Sequence, residues 1–215
     1  MADQSLLDDE ALPVSPRRAA FSKTVVATAQ PILVGMARHW LLAMNAATVL
    51  LIGGALAAPL LLAAGLTQLS TPIYQLYHAT CHQWASRSFF LFGQAPFYTQ
   101  TTLEELGHDA FTFVGDPQLG WKMAFCERDL AIYAGLLMFG FLYGARWRGY
   151  SLRQLTWVGY VVLAAPMALD GFTQLFGLRE STWELRVATG LLFGMASAWF
   201  LYPRFDRSLP QALTA

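Results

Sequence analysis

Two cysteines and four histidines are the soft-ligand chemistry of this 215-residue chain, and three of the six lie within five positions of one another. His78, Cys81 and His82 form H-x-x-C-H, and Cys126 follows in C-E-R-D. Two thiols and two imidazoles in one part of an apolar chain can form a disulfide, hold a metal or perform thiol chemistry. Zinc accepts mixed nitrogen and sulfur ligands, and thiolates also suit copper(I). A Cys81–Cys126 disulfide would close a loop of about 46 residues and contribute about 2–4 kcal/mol. Haem, pigment or quinone binding by His78 or His82 is a weaker alternative, since H-x-x-C-H is not the haem-attachment motif C-x-x-C-H.

A second constellation is charged. Arg128 and Asp129 begin the second span, Asp170 and Gln174 are one helical turn apart in the third, Arg179 and Glu180 follow, and Glu184, Arg186 and Thr189 come next. A carboxylate at membrane depth costs about 2.5–3.5 kcal/mol and so seeks a partner. Arg179 or Arg186 is the natural one, because a guanidinium bonds a carboxylate bidentately and keeps donors to spare. The set predicts a polar pocket. Arg179 and Arg186 would clamp an anionic head group, Asp170 or Glu180 would serve as acid or base, and Gln174 would assist. A buried network that pins helices together is the structural alternative.

The elements that must position these residues are membrane helices. Hydrophobic residues make up 55% of the chain and charged residues 13%, against roughly 25% charged in soluble domains. Formal net charge is zero, which argues against a nucleic-acid partner, since phosphate backbones select basic surfaces. Four segments reach the roughly 17–25 residues of a span: about Trp40–Gly65, Asp129–Ala145, Gln154–Phe176 and Leu185–Tyr202. Arg17, Arg18, Lys23, Arg38, Arg146, Arg148, Arg153, Arg204 and Arg207 fall on one side of them, nine of fourteen basic residues. Basic loops face the cytoplasm. The expectation is a multi-pass protein of the cytoplasmic (inner) membrane with both termini cytoplasmic, which puts both cysteines outside, where disulfides persist.

Three regions complete this organisation. Residues 1–37 form a cytoplasmic arm, disordered over 1–16, with an amphipathic surface helix broken near Pro31. Residues 38–204 form the four-helix domain, its outer loop spanning 66–126, and 205–215 are a cytoplasmic tail. In the outer loop, Tyr74, Tyr77, His78, Cys81 and His82 recur at helical spacing, which predicts an interfacial helix over 72–92 with these side chains on one side. Residues 93–120 read as loop, with a short helix at Thr102–Gly107. Gly140-x-x-x-Gly144 and Gly190-x-x-x-Gly194 predict close helix packing. The fold class is an all-α polytopic membrane protein.

Several ordered pieces strengthen this. Cys81-His82-Gln83, Arg87-Ser88-Phe89, Cys126-x-Arg128-Asp129, Asp170-Gly171-x-x-Gln174, Arg179-Glu180-Ser181 and Arg186-x-x-Thr189-Gly190 occur in that sequence. Together they resemble the prokaryotic membrane proteins catalogued as domain of unknown function 2085, from about Tyr74 to Gly194. The resemblance implies a small polytopic membrane protein and no particular activity. The chain departs from that pattern at Trp183, where a smaller polar residue is expected, and in the long loop Gln94–Gly120, which suggests an added lid or docking surface.

The leading expectation is a membrane protein with a Cys/His/Asp/Arg site at the extracytoplasmic leaflet, binding a metal such as zinc or acting on a lipid-like or redox substrate. The alternative is a non-catalytic subunit of a larger respiratory or photosynthetic membrane complex, with Cys81–Cys126 a structural disulfide. The expected partners are the lipid bilayer and, in that alternative, other membrane subunits.

Overall fold

A computed structural model describes residues 16–145 and 153–214. The expected disorder of 1–16, apart from Pro16 itself, and the basic turn carrying Arg146 and Arg148 lie outside the described residues. The chain divides into two units, residues 1–40 and residues 41–215. In the first, the described residues are helical and belong to α1, Pro16–Ala63. The break expected near Pro31 is absent. A proline removes one bond from the helical ladder, and the turns on either side carry the helix through.

The second unit holds the rest of α1 and every other element. α2 is Thr67–His78, α3 Gln100–Glu105, α4 Glu127–Ala145, α5 Trp157–Leu175 and α6 Trp183–Thr214. Among the described residues, three helical stretches are long and apolar enough to cross a membrane: Ala37–Ala63 of α1, α5, and Trp183–Ser208 of α6. α4 coincides with the second expected span but is outside this set. Its first turn carries Glu127, Arg128 and Asp129, and those charges dilute an otherwise apolar 19-residue helix.

Glycines set the closest helix contact. A Cβ at Gly194 of α6 would fall 2.1 Å from the Ile132 carbonyl oxygen of α4, and one at Gly135 of α4 would fall 2.4 Å from that of Leu191. Only a hydrogen fits at either place, so α4 and α6 pack backbone to backbone, as small-xxx-small patterns allow. α5 packs on α6 through Tyr160 and Trp157, whose rings lie 4.8 and 4.4 Å from that of Phe200.

The bundle has two different ends. At one, Arg204 donates to the Leu155 carbonyl at 3.1 Å, Arg207 to Gln154 Oε1 at 2.9 Å, and Trp199 to the Arg153 carbonyl at 2.8 Å. The start of α4, the end of α5 and the start of α6 meet at the other end, and a small layer of short elements is built there. It contains the one departure from an all-α fold among the described residues. β1 (Phe90–Leu91), β2 (Gly115–Asp116) and β3 (Gly120–Lys122) form an antiparallel sheet in the order β1-β3-β2, with Phe90 opposite Lys122 and Gly115 opposite Trp121. Phe90, Tyr98, Leu103 and Leu119 form its core. Thr99 caps α3 by accepting the Thr102 N–H, so the short helix begins two residues before the expected Thr102.

The interfacial helix is also shorter than the pattern suggests. α2 ends at His78 instead of running over 72–92, and Gln83 takes a left-handed φ of 55°. The chain turns away there because Gln83 is needed elsewhere. Its amide donates to the Tyr74 carbonyl at 2.9 Å, and its own carbonyl accepts from Lys122 Nζ at 2.6 Å. Tyr77 ties α2 to α1 through a 2.6 Å bond to the Leu51 carbonyl. The Ala124 N–H joins the strand layer to α1 at the Ala55 carbonyl, 3.2 Å away.

Candidate functional site

The end of α2 and the start of α4 bring Cys81 and Cys126 together. Both are free thiols, so the expected disulfide is not formed. Their sulfurs are neighbours held by donors, not bonded to each other. The Cys126 N–H points at Cys81 Sγ at 3.4 Å, and the Asp129 N–H at Cys126 Sγ at 3.5 Å. The Cys126 thiol donates to the Cys81 sulfur, which holds Cys81 below the usual thiol range against its own burial and the Asp129 carboxylate. The same bond, with burial, pushes Cys126 well above that range. Thiolate character is thus concentrated on Cys81.

Asp129 completes this group. One ligand atom each from Cys81, Cys126 and Asp129 lie within 4.8 Å of one another. Asp129 stands one turn beyond Cys126 on α4, which brings its carboxylate round to the sulfur. The expected imidazoles are not in the set. Because α2 stops at His78, positions 78, 81 and 82 no longer share a helical side. His78 and His82 are exposed, although His82 borders the same cavity of about 410 Å³ that Cys81, Cys126 and Asp129 line.

The charged constellation converges at the same end with its partners rearranged. Asp170, 2% exposed on α5, accepts from Arg128 and Ser181 on Oδ2 and from Arg179 at 2.6 Å on Oδ1. Arg186, expected as a partner of Asp170, pairs instead with Glu127 Oε2 at 2.8 Å and donates to the Ser181 carbonyl at 2.6 Å. Geometry decides this: Glu127 and Arg186 occupy the facing first turns of α4 and α6, the helices in closest contact. Gln174 joins through Oε1, 3.5 Å from Arg128. Glu180 is exposed and lines a second cavity of about 310 Å³ with Trp183 and Glu184.

Two buried charged residues of this end, Glu127 and Lys122, are not among the sequence candidates, and Arg128 and Asp129 of the charged constellation become the partners of Asp170 and of the thiols. Glu127 is 1% exposed and Lys122 3% exposed. Burial draws the Lys122 ammonium down to about 8. Its one sequence signal is that it is the single Lys or Arg between Arg87 and Arg128.

Helices of membrane-crossing length with a polar site gathered at one end define a helical membrane protein. Residues 118–200 match the family model described as predicted membrane protein (DUF2085). An uncharacterized protein of Methanocaldococcus jannaschii is 31% identical over 137 residues, which are 64% of this chain and 70% of that protein. The chain belongs to this family of membrane proteins of unknown function, as its ordered motifs suggest. No solved structure matches it.

Proposed function

We propose that this is a four-span protein of the cytoplasmic membrane whose extracytoplasmic end holds a transition-metal centre on Cys81, Cys126 and Asp129. The carrying observation is the convergence of those three ligand atoms within 4.8 Å at the rim of a cavity. Tetrahedral zinc keeps neighbouring ligand atoms roughly 3.5–4 Å apart, so small side-chain shifts suffice. The donor types fit zinc, and the hydrogen bonds that favour a Cys81 thiolate prepare a ligand that must be deprotonated to bind. Three protein ligands beside a cavity leave a position for water or substrate, the arrangement of a catalytic rather than a structural centre.

Orientation is supported by the basic end. Arg153, Arg204 and Arg207 gather opposite the thiols, and positive charge favours the cytoplasmic side. α4 serves as the fourth span, its charged first turn held at the interface by the ion pairs of Arg128 and Glu127.

The test is elemental analysis of protein purified without chelator, alongside the Cys81→Ser, Cys126→Ser and Asp129→Asn variants. About one zinc per chain in the wild type and loss in both cysteine variants is the expected result. Metal-free wild-type protein after zinc dialysis, with both thiols still alkylatable, overturns the proposal.

The unequal thiols favour one second reading, a dithiol exchanging with a disulfide substrate. Cys81 thiolate would attack one substrate sulfur and release a thiol. Cys126 would then resolve the mixed disulfide, releasing the second thiol and leaving Cys81–Cys126 oxidised. Trapping of a Cys81 mixed disulfide in Cys126→Ser, in protein that holds no metal, would select it.

A further inference from the structure

The two cavities meet at a common wall. Arg87, Gln174 and Arg186 line both the 410 Å³ cavity beside the thiols and the 310 Å³ cavity beside Trp183. We infer that this wall binds a phosphate-type oxyanion. Nothing in the inference depends on a metal at Cys81, because it rests on different residues.

The charges around the wall are unbalanced. Four guanidiniums, of Arg87, Arg128, Arg179 and Arg186, meet two buried carboxylates, of Glu127 and Asp170. Those carboxylates are taken by Arg128, Arg179 and Arg186. Arg87 has no carboxylate partner among the described residues. Its guanidinium lies over the Trp84 ring, 4.2 Å from the centroid, and its basicity is lowered by burial and then by the charges of Arg186 and Arg128, with the exposed Glu180 opposing them in part. A half-buried cation with no carboxylate in contact favours an anion that joins it. Glu180 and Glu184, both exposed, line the Trp183 side, and Asp129 lines the thiol side. None of the three forms an ion pair with Arg87.

The wall is also short of acceptors. Arg128 Nε, Arg186 Nε and Gln174 Nε2 are buried with no hydrogen-bond partner. An unmade bond at a buried donor costs about 1–3 kcal/mol, and three such donors at one wall need an explanation. Arg186 is only 8% exposed, so bulk water is a poor answer. The Gln174 Oε1 must face Arg128, a pure donor, which turns its NH₂ group toward the unfilled side. A tetrahedral oxyanion offers several acceptor oxygens and matches guanidinium geometry. Phe97 and Trp183, with ring centroids 5.4 Å apart, border the 310 Å³ cavity and would cover the organic part of a phosphate ester.

That phosphate could sit on a lipid headgroup or on a water-soluble ester, and one experiment separates them. Protein in a neutral maltoside detergent is titrated with inorganic phosphate by calorimetry at constant ionic strength. In parallel, native mass spectrometry scores retention of phosphatidic acid over phosphatidylcholine from mixed nanodiscs. Arg87→Gln and Gln174→Glu are the test variants, and Arg207→Gln is the comparison, since Arg207 bonds Gln154 at the opposite end of the bundle. Phosphate binding weakened about tenfold or more by Arg87→Gln and Gln174→Glu, but within about twofold in Arg207→Gln, supports a soluble ester. Selective phosphatidic acid retention lost in the same two variants, without inorganic phosphate binding, supports a headgroup. Neither ligand binding, or binding that Arg87→Gln and Gln174→Glu leave unchanged, overturns the inference.

Discussion

Lys122 gives the site a measurable pH signature. Its ammonium is 3% exposed and donates to the Gln83 carbonyl at 2.6 Å, with no ion pair among the described residues. Burial lowers it from an ordinary 10.5 to about 8. Below pH 8 both native and unfolded chains are protonated, and the native state carries the whole cost of the buried charge. Between about 8 and 10.5 the unfolded chain binds more proton than the native one, so stability rises with pH in that window. At about 1.4 kcal/mol per tenfold step, the rise is on the order of 3 kcal/mol. Cys81 contributes in the same direction up to the ordinary thiol range, and Cys126 in the opposite direction above it. The clean quantity is therefore the difference between wild type and Lys122→Met. Dodecyl sulfate titration of maltoside-solubilised protein, followed by circular dichroism at each pH, supplies unfolding free energies. The wild type should gain roughly 2–3 kcal/mol relative to Lys122→Met between pH 7.5 and 10. Parallel profiles for the two proteins would refute the assignment of a charged, desolvated lysine at this position.

Three further outcomes follow. Asp170→Asn leaves Arg128 short of its partner and should cost about 3 kcal/mol, whereas Arg179→Gln, at a side chain 40% exposed, should cost under about 1 kcal/mol; equal losses in the same titration would contradict the described burial. Gly194→Val places a branched side chain against the Ile132 carbonyl and should destabilise by at least about 2 kcal/mol through forced separation of α4 and α6, read as a lowered thermal midpoint in detergent. In metal-free protein, Cys126→Ala removes the main donor to the Cys81 sulfur, so the pH midpoint of Cys81 alkylation by iodoacetamide should rise; an unchanged midpoint by mass spectrometry would show that another group sets it.

What the sequence discloses and what it hides follow from the range of the forces involved. The stretches of α1, α5 and α6 that can span a membrane are legible because hydropathy is summed over some twenty residues, and no tertiary contact is needed to know that such runs leave water. The α6 side of the α4–α6 contact is legible for a related reason, since Gly190 and Gly194, four residues apart, have one common use in an apolar helix, whereas the pair Gly140 and Gly144 of α4 faces Asn45 and Leu41 of α1 and the α4 partner is Gly135. The sheet is not legible, because strands of two and three residues contain no full alternation. Its signals are Gly115 and Gly120, both at positive φ, and a loop glycine has many explanations. The end of α2 is hidden too. Nothing in Thr80-Cys81-His82-Gln83 breaks a helix, and the turn is imposed by Gln83 bonding Tyr74 and Lys122 across the fold.

The site divides along the same line. That Cys81, Cys126, Asp170 and the arginines belong together could be read from residue types, because charges and thiols in so apolar a chain have few places to go. Which partner each takes could not. Asp170 was offered Arg179 and Arg186 by proximity in sequence, yet the crossing of α4 and α6 gives Arg186 to Glu127 and frees Asp170 for Arg128 and Arg179. With the buried carboxylates taken in this way, Arg87 lines both cavities with no carboxylate in contact among the described residues. The absence of a carboxylate for Arg87 is thus a consequence of helix packing, and it gives this polar end a place for an anion that the chain does not itself supply.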